Sequence, residues 1–302
     1  MWWLFFALTS YLFSAFVSLG DKYILKGPPN PQNYVFLTGV LGAFSVFLIP
    51  LPFVDFFVPD FLTLYLSLGA GFCLIVALFY FYKGLEIFEA SVILPAVGGL
   101  TPLFTLIFSR FFNQQGDFLS ASDLLSLFLI IVGSFLITFK KKEFIFWAIF
   151  KTALLTALLF ALAIFLTKQV YLRTNFWNGF IWMRIFGAFF AALFVFSPKV
   201  RESFSGFSRI FDQQRKAVFV FNQLLGGSAF LCQNLAILLA PLPYLAFVNA
   251  LQGVQYVFLL ILTTIFSFKK PDLLEEEVSL KILTFKFFAV FLIFLGLLIL
   301  FV

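Results

Sequence analysis

Arg184 is the eighth residue of the apolar run WNGFIWMRIFGAFFAALF, residues 177–194. An arginine at such depth in lipid costs at least ~2.5–3.5 kcal/mol on insertion scales, so it must face protein or water. Gly187, Ala188 and Ala191 share its helical face, which marks that face as the packed one. Two roles are open to it. It can bind a carboxylate or phosphate through paired N–H donors, or it can clamp helix ends and carbonyls together. A second polar set lies in VNALQGVQYVF, 248–258. Asn249, Gln252 and Tyr256 stand at i, i+3 and i+7, one face of a helix, with Gln255 off that stripe. Amides and a phenol in one row donate and accept, which suits a zwitterionic or polyhydroxy solute; interhelical hydrogen bonding is the alternative use. Tyr80 and Gln233 fall at corresponding ends of two apolar runs, and Ser14 and Thr101 add hydroxyls to two others. Lys22 and Lys168 end the first and sixth runs, where they either snorkel to the interface or place charge at a cavity mouth.

Much chemistry is excluded by what these residues lack. The chain contains no histidine, which removes Ser–His and Cys–His hydrolases and His-ligated metal. Its two cysteines, Cys73 and Cys232, both lie in apolar runs, so no disulfide framework, metal site or cofactor is expected. No Asp or Glu occupies the middle of an apolar run. Proton-coupled carriers usually rely on a buried carboxylate there, so facilitated export or exchange fits better. Glu86, near a run's end, is the one carboxylate worth testing for coupling. With no buried acid pair, an enzyme is not expected.

The elements that must position these groups are helices in a bilayer. Of 302 residues, 63% are hydrophobic and 11% charged, against roughly 25% charged in a soluble domain. The apolar stretches are continuous and near the ~20 residues a bilayer core demands, not the alternating ten-residue strands of a barrel. Ten spans are expected, near 2–20, 32–54, 61–82, 89–112, 122–139, 144–168, 176–197, 218–239, 242–267 and 283–302. The first lacks a basic leader segment and reads as a retained helix rather than a signal peptide. The fourth contains Pro95, Gly98, Gly99 and Pro102, which predict an interrupted helix that serves as a hinge and cavity wall, or as a close-packing contact.

The chain also repeats. FLIIVGSFLI at 128–137 matches FLIFLGLLIL at 291–300, and Gly-Ala-Phe recurs at 42–44 and 187–189. Spans 1–5 (residues 1–140) thus correspond to spans 6–10 (141–302). An odd number of crossings per half inverts the second half relative to the first. The fold expected is an all-α integral membrane protein of ten transmembrane helices in two inverted five-helix repeats. Fourteen of the twenty Lys and Arg fall in the connections of one side, three in those of the other. The positive-inside rule makes the basic side cytoplasmic and puts both termini on the outer face. The net charge of +6 is therefore a topology signal, and no nucleic-acid partner is expected.

The ordered set of these features resembles the drug/metabolite transporter superfamily, EamA type. It comprises the 5+5 layout, FYFYKGLEIFEASVILPAVGGLTPLF with Pro102, Arg184 in span seven, and Gly133 and Gly296 in spans five and ten. The resemblance implies a prokaryotic inner-membrane carrier of a small metabolite such as an amino acid, working by alternating access through a central cavity, as a monomer or homodimer. A nucleotide-sugar or sugar-phosphate antiporter, or a lipid-carrier flippase component, is the alternative. One departure from the family is clear: RFFNQQGDFLS, after span four, lacks the Glu often found there.

Overall fold

The computed structural model describes residues 2–24, 31–87, 90–112, 119–138, 146–198, 200–201, 213–269 and 280–301. Among them there is helix and turn and no strand. The helices are α1 (Trp2–Ile24), α2 (Pro31–Leu41), α3 (Phe61–Ile87), α4 (Ala90–Phe111), α5 (Ala121–Thr138), α6 (Phe146–Tyr171), α7 (Phe176–Ala192), α8 (Gln213–Leu239), α9 (Leu245–Ala250), α10 (Gln252–Lys269) and α11 (Leu280–Phe301). Each apolar run of the sequence is thus occupied by helix. Among the described residues three stretches are long and apolar enough to cross a membrane: Phe61–Gly84, Phe150–Tyr171 and Phe176–Phe196. Large side chains such as Phe47, Phe61, Phe111 and Phe189 point outward and are exposed. An apolar exterior over an all-helical chain is the pattern of a membrane protein.

Helix ends follow local chemistry. Asn175 caps α7, its Oδ1 accepting from the Asn178 backbone N–H at 2.8 Å. Ser120 and Asp123 form a reciprocal capping box on α5. Asp60 accepts from the backbone N–H and hydroxyl of Thr63 at the start of α3. Helix α2 passes into a 3₁₀ stretch, Gly42–Leu48, and ends there. The expected continuation to residue 54 is replaced by turns, since Pro50 and Pro52 remove the donors a helix would need.

One expectation about helix breaks is corrected. α4 runs unbroken through Pro95, Gly98, Gly99 and Pro102. Pro102 cannot donate to the Gly98 carbonyl, but the hydroxyls of Thr101 and Thr105 bond the carbonyls of Val97 and Thr101, at 2.7 and 2.9 Å, and tie the same turns together. The side chain of Pro95 lies outside the described residues. Of the two corresponding runs, only the ninth is interrupted, where Leu251 separates α9 from α10.

The bundle is held along small-residue seams. α1 packs along α8, α3 along α6, α5 along α11, and α7 against both α2 and α3. Ser10 donates to the Ala229 carbonyl across the first pair at 2.8 Å, and Ser126 to the Gly296 carbonyl across α5–α11 at 2.6 Å. In that last seam Gly133 faces Ile293 and Ala289, and Gly296 faces Ile130 and Ser126, so the two helices meet through reciprocal contacts. α9 is buried at every residue and sits at the centre of the main apolar core.

Candidate functional site

The polar groups gather where α1, α4, α6, α7, α8 and the α9–α10 break meet. α10 turns Gln252 and Tyr256 toward Gly98 of α4. A β-carbon on Gly98 would lie 3.1 Å from the Tyr256 hydroxyl and 3.3 Å from Gln252 Oε1. The glycine leaves room for these groups rather than breaking the helix. Asn249 points the same way, its Nδ2 donating to Thr105 Oγ1 of α4 at 2.8 Å, while the Thr101 hydroxyl is spent on its own helix. Gln255, off the stripe, reaches α1 instead. It donates to Ser18 Oγ at 3.0 Å and to the Ser14 carbonyl at 3.3 Å. Tyr11 of α1 joins the group: its hydroxyl donates to the Val248 carbonyl at 2.7 Å, and the Gln233 side chain of α8 lies close to that hydroxyl.

A second row runs along α8 at Phe230, Asn234 and Leu238, spaced i, i+4 and i+8. Tyr171 of α6 donates to Asn234 Oδ1 at 2.8 Å, and Asn234 returns its Nδ2 to the Phe230 carbonyl. Lys168, one turn back on α6, is 4% exposed and donates its ammonium to the Leu238 carbonyl at 2.8 Å. It caps the end of α8, where a positive charge complements the helix dipole.

Arg184 stands at the other end of this row. Its Cζ lies 4.5 Å from the centroid of the Phe230 ring, a cation–π contact. It also abuts Gly42, the first residue of the 3₁₀ stretch after α2: a β-carbon there would lie 3.0 Å from Cζ, 3.1 Å from Nε and 3.2 Å from one terminal nitrogen. Three near-equal distances put that point over the flat face of the guanidinium. Among the described residues no hydrogen bond or ion pair reaches its N–H groups. A guanidinium carries five donors lying in its plane, and none of them is spent on a described residue.

The structure therefore brings Asn249, Gln252, Tyr256, Gln233 and Gly98 to one centre and places Arg184 beside it across Phe230. Tyr80 is half-buried and edge-on to Phe79, with no hydrogen bond or ring contact to this group among the described residues. The side chains of Lys22 and Glu86 lie outside the described residues. Sequence reasoning missed Tyr11, Tyr171 and Thr105. The tyrosines carry a readable signal: in a chain with 51 Phe and nine Tyr, each added hydroxyl needs a partner when buried. No cluster of metal-ligating side chains occurs among the described residues.

No family profile and no curated protein matches this chain. A solved crystal structure, described only as that of a protein, matches with a TM-score of 0.70 at 15% identity, over 98% of this chain and 94% of its own. At that identity the likeness is one of fold. The class defined so far is an all-helical membrane-type bundle with a buried polar centre and, beside it, an arginine that makes no hydrogen bond or ion pair among the described residues.

Proposed function

We propose that the chain is a secondary carrier of a small polar or amphipathic metabolite, such as an amino acid, built as ten membrane spans in two inverted five-helix halves like the EamA-type drug/metabolite transporters. The observation that carries the reading is Arg184. A half-buried arginine with no acidic partner among the described residues is expensive to keep in an apolar bundle, and an intramembrane cation of this kind marks a solute pathway. The helix pairings support the two-halves reading. Exchanging α1 with α6, α2 with α7, α3 with α8, and α5 with α11 turns the α1–α8 pair into the α6–α3 pair and maps the α2–α7 and α5–α11 pairs onto themselves. The interrupted run at Leu251 beside the polar centre fits the discontinuous helices that build carrier sites.

The test is uptake into proteoliposomes from an amino-acid panel and a nucleotide-sugar panel, with wild type and Arg184→Ala at matched folded protein. Selective uptake that falls in the variant is expected. Uptake of nucleotide sugars alone moves the assignment to the antiporter reading, and no uptake by folded wild type overturns the carrier.

A further inference from the structure

Arg184 lies midway along α7, and its surroundings decide which part of it can act. Phe180, Ile181, Gly187, Ala188 and Ala191, which share or border its face, are all buried, while Phe189 on the other side of the helix is exposed. Arg184 itself is half-buried. What exposes it is therefore an opening on the interior side of α7, not the outer side of the helix.

Two contacts hold the guanidinium there. Gly42 leaves just enough room for its flat side: a β-carbon at that position would lie 3.0 Å from Cζ, tighter than ordinary contact. The Phe230 ring approaches from α8, its centroid 4.5 Å from Cζ. That ring is itself fixed. Phe180, one turn before Arg184 on α7, packs against it with centroids 6.0 Å apart. Phe180 stacks in turn on Phe176, and Phe176 on Tyr171 of α6 at 5.4 Å. Asn234 anchors the backbone of Phe230, donating Nδ2 to its carbonyl at 2.9 Å. A column of rings thus runs from the end of α6 to the guanidinium. The nature of this partner matters. A carboxylate beside Arg184 would hold the charge by occupying its N–H groups. A ring holds it through the quadrupole and leaves the five in-plane donors for another acceptor.

We propose that Phe230 is the positioning residue of this site: its ring, together with the close approach at Gly42, fixes the Arg184 guanidinium so that its N–H edge meets an anionic group of the carried solute. The proposal rests on the carrier reading for what the solute is, but not for the binding itself. Phe230 acts through Arg184 and leaves the donors to the arginine. Gln233 follows Phe230 by three residues on α8, which puts the neutral polar groups about one helical turn from the ring. A solute with an acid group at Arg184 and neutral polar groups beside it fits that spacing.

The test measures binding without transport, as ligand-induced thermal stabilisation of the purified full chain in detergent. The probes are amino acids, each paired with its amide. Stabilisation by acids and not by their amides is expected, and Arg184→Ala should remove the difference. Phe230→Leu keeps an apolar side chain and loses the quadrupole. Affinity for the acid should fall about 5- to 30-fold, the cation–π scale in a desolvated site. Phe230→Tyr keeps the ring face and should stay within about twofold of wild type. A packing role alone would rank the two the other way, since Leu stays apolar and Tyr must bury a hydroxyl. Gly42→Ala, which displaces the guanidinium by a few tenths of an ångström, should lower acid affinity with Phe230 intact. Unchanged affinity in folded Phe230→Leu, a larger loss in Phe230→Tyr than in Phe230→Leu, or no stabilisation of folded wild type by any acid would overturn the proposal. The carrier reading fails separately. The expected ranking in a protein inert in proteoliposomes would sink the carrier and leave the role of Phe230 standing. Uptake lost in Arg184→Ala but untouched in Phe230→Leu would do the reverse.

Discussion

Gly71 of α3 and Gly187 of α7 meet where those helices cross, and the same substitution at the two is expected to act with opposite sign. A β-carbon on Gly71 would lie 2.7 Å from the Gly187 backbone nitrogen, 3.0 Å from the Met183 carbonyl oxygen and 3.1 Å from the Phe186 carbonyl carbon. All three are backbone atoms, so no side chain can swing away. The nearest is about 0.7 Å inside ordinary contact, and α7 must move as a unit. Overpacking of this kind costs typically about 1–3 kcal/mol, and opening a seam by 0.5–1 Å forfeits roughly a quarter to a half of the contact energy of the atoms it separates. A β-carbon on Gly187, by contrast, would find Ile75 Cγ1 at 3.9 Å and Gly71 Cα at 4.0 Å, an ordinary fit. There the change adds contact and removes the helix penalty of glycine, about 1 kcal/mol. Gly71→Ala should therefore lower the apparent melting temperature in detergent, and Gly187→Ala should leave it unchanged or raise it. Because Met183 and Phe186 flank Arg184, the Gly71 variant should also weaken solute binding. If Gly187→Ala destabilises as much as Gly71→Ala, the packing argument is wrong.

Three further outcomes follow from particular contacts. Tyr171→Phe strips the donor from buried Asn234 Oδ1 and should cost about 1–3 kcal/mol; pairing it with Asn234→Leu should recover much of the loss, as read by chemical or thermal unfolding. Asp60 at the head of α3 is held below the usual carboxylate range, first by the hydrogen bond from the Thr63 side chain and then by that from the Thr63 backbone. Its folded value is the lower one, so its contribution is present above the ordinary carboxylate pKa and is lost as pH falls through the folded value. Wild type should thus melt above Asp60→Asn at neutral pH, with the gap closing in strong acid. A reporter active only in the cytoplasm, fused after Val302, should stay silent, since both termini are expected outside; activity there would refute the topology.

The helix positions were legible because lipid leaves the backbone no alternative: an apolar run of bilayer length must close its own hydrogen bonds. The stripe Asn249, Gln252 and Tyr256 was legible for a related reason, since period alone puts the three on one face. The state of α4 was not legible. Proline and glycine in a row read as a break, and only the structure reveals that Thr101 and Thr105 brace those turns and that Gly98 makes room for Tyr256. Lys168 reads as an interfacial charge until α8 is seen to end beside it, with the Leu238 carbonyl in reach. The face of α2 was hidden for the opposite reason. Thr38 and Ser45 are unexceptional in sequence, and what sets them apart is that their buried hydroxyls find no hydrogen-bond partner among the described residues.

The most direct test of the carrier is counterflow. Proteoliposomes loaded with an excess of an unlabelled carboxylate solute, one that stabilises the purified protein, are diluted into a trace of the same solute carrying label. A carrier that exposes one site to each side in turn predicts a transient accumulation of label above equilibrium, abolished by Arg184→Ala. Label that only rises to equilibrium in folded wild type, with no overshoot at any loading, would contradict alternating access and with it the central claim.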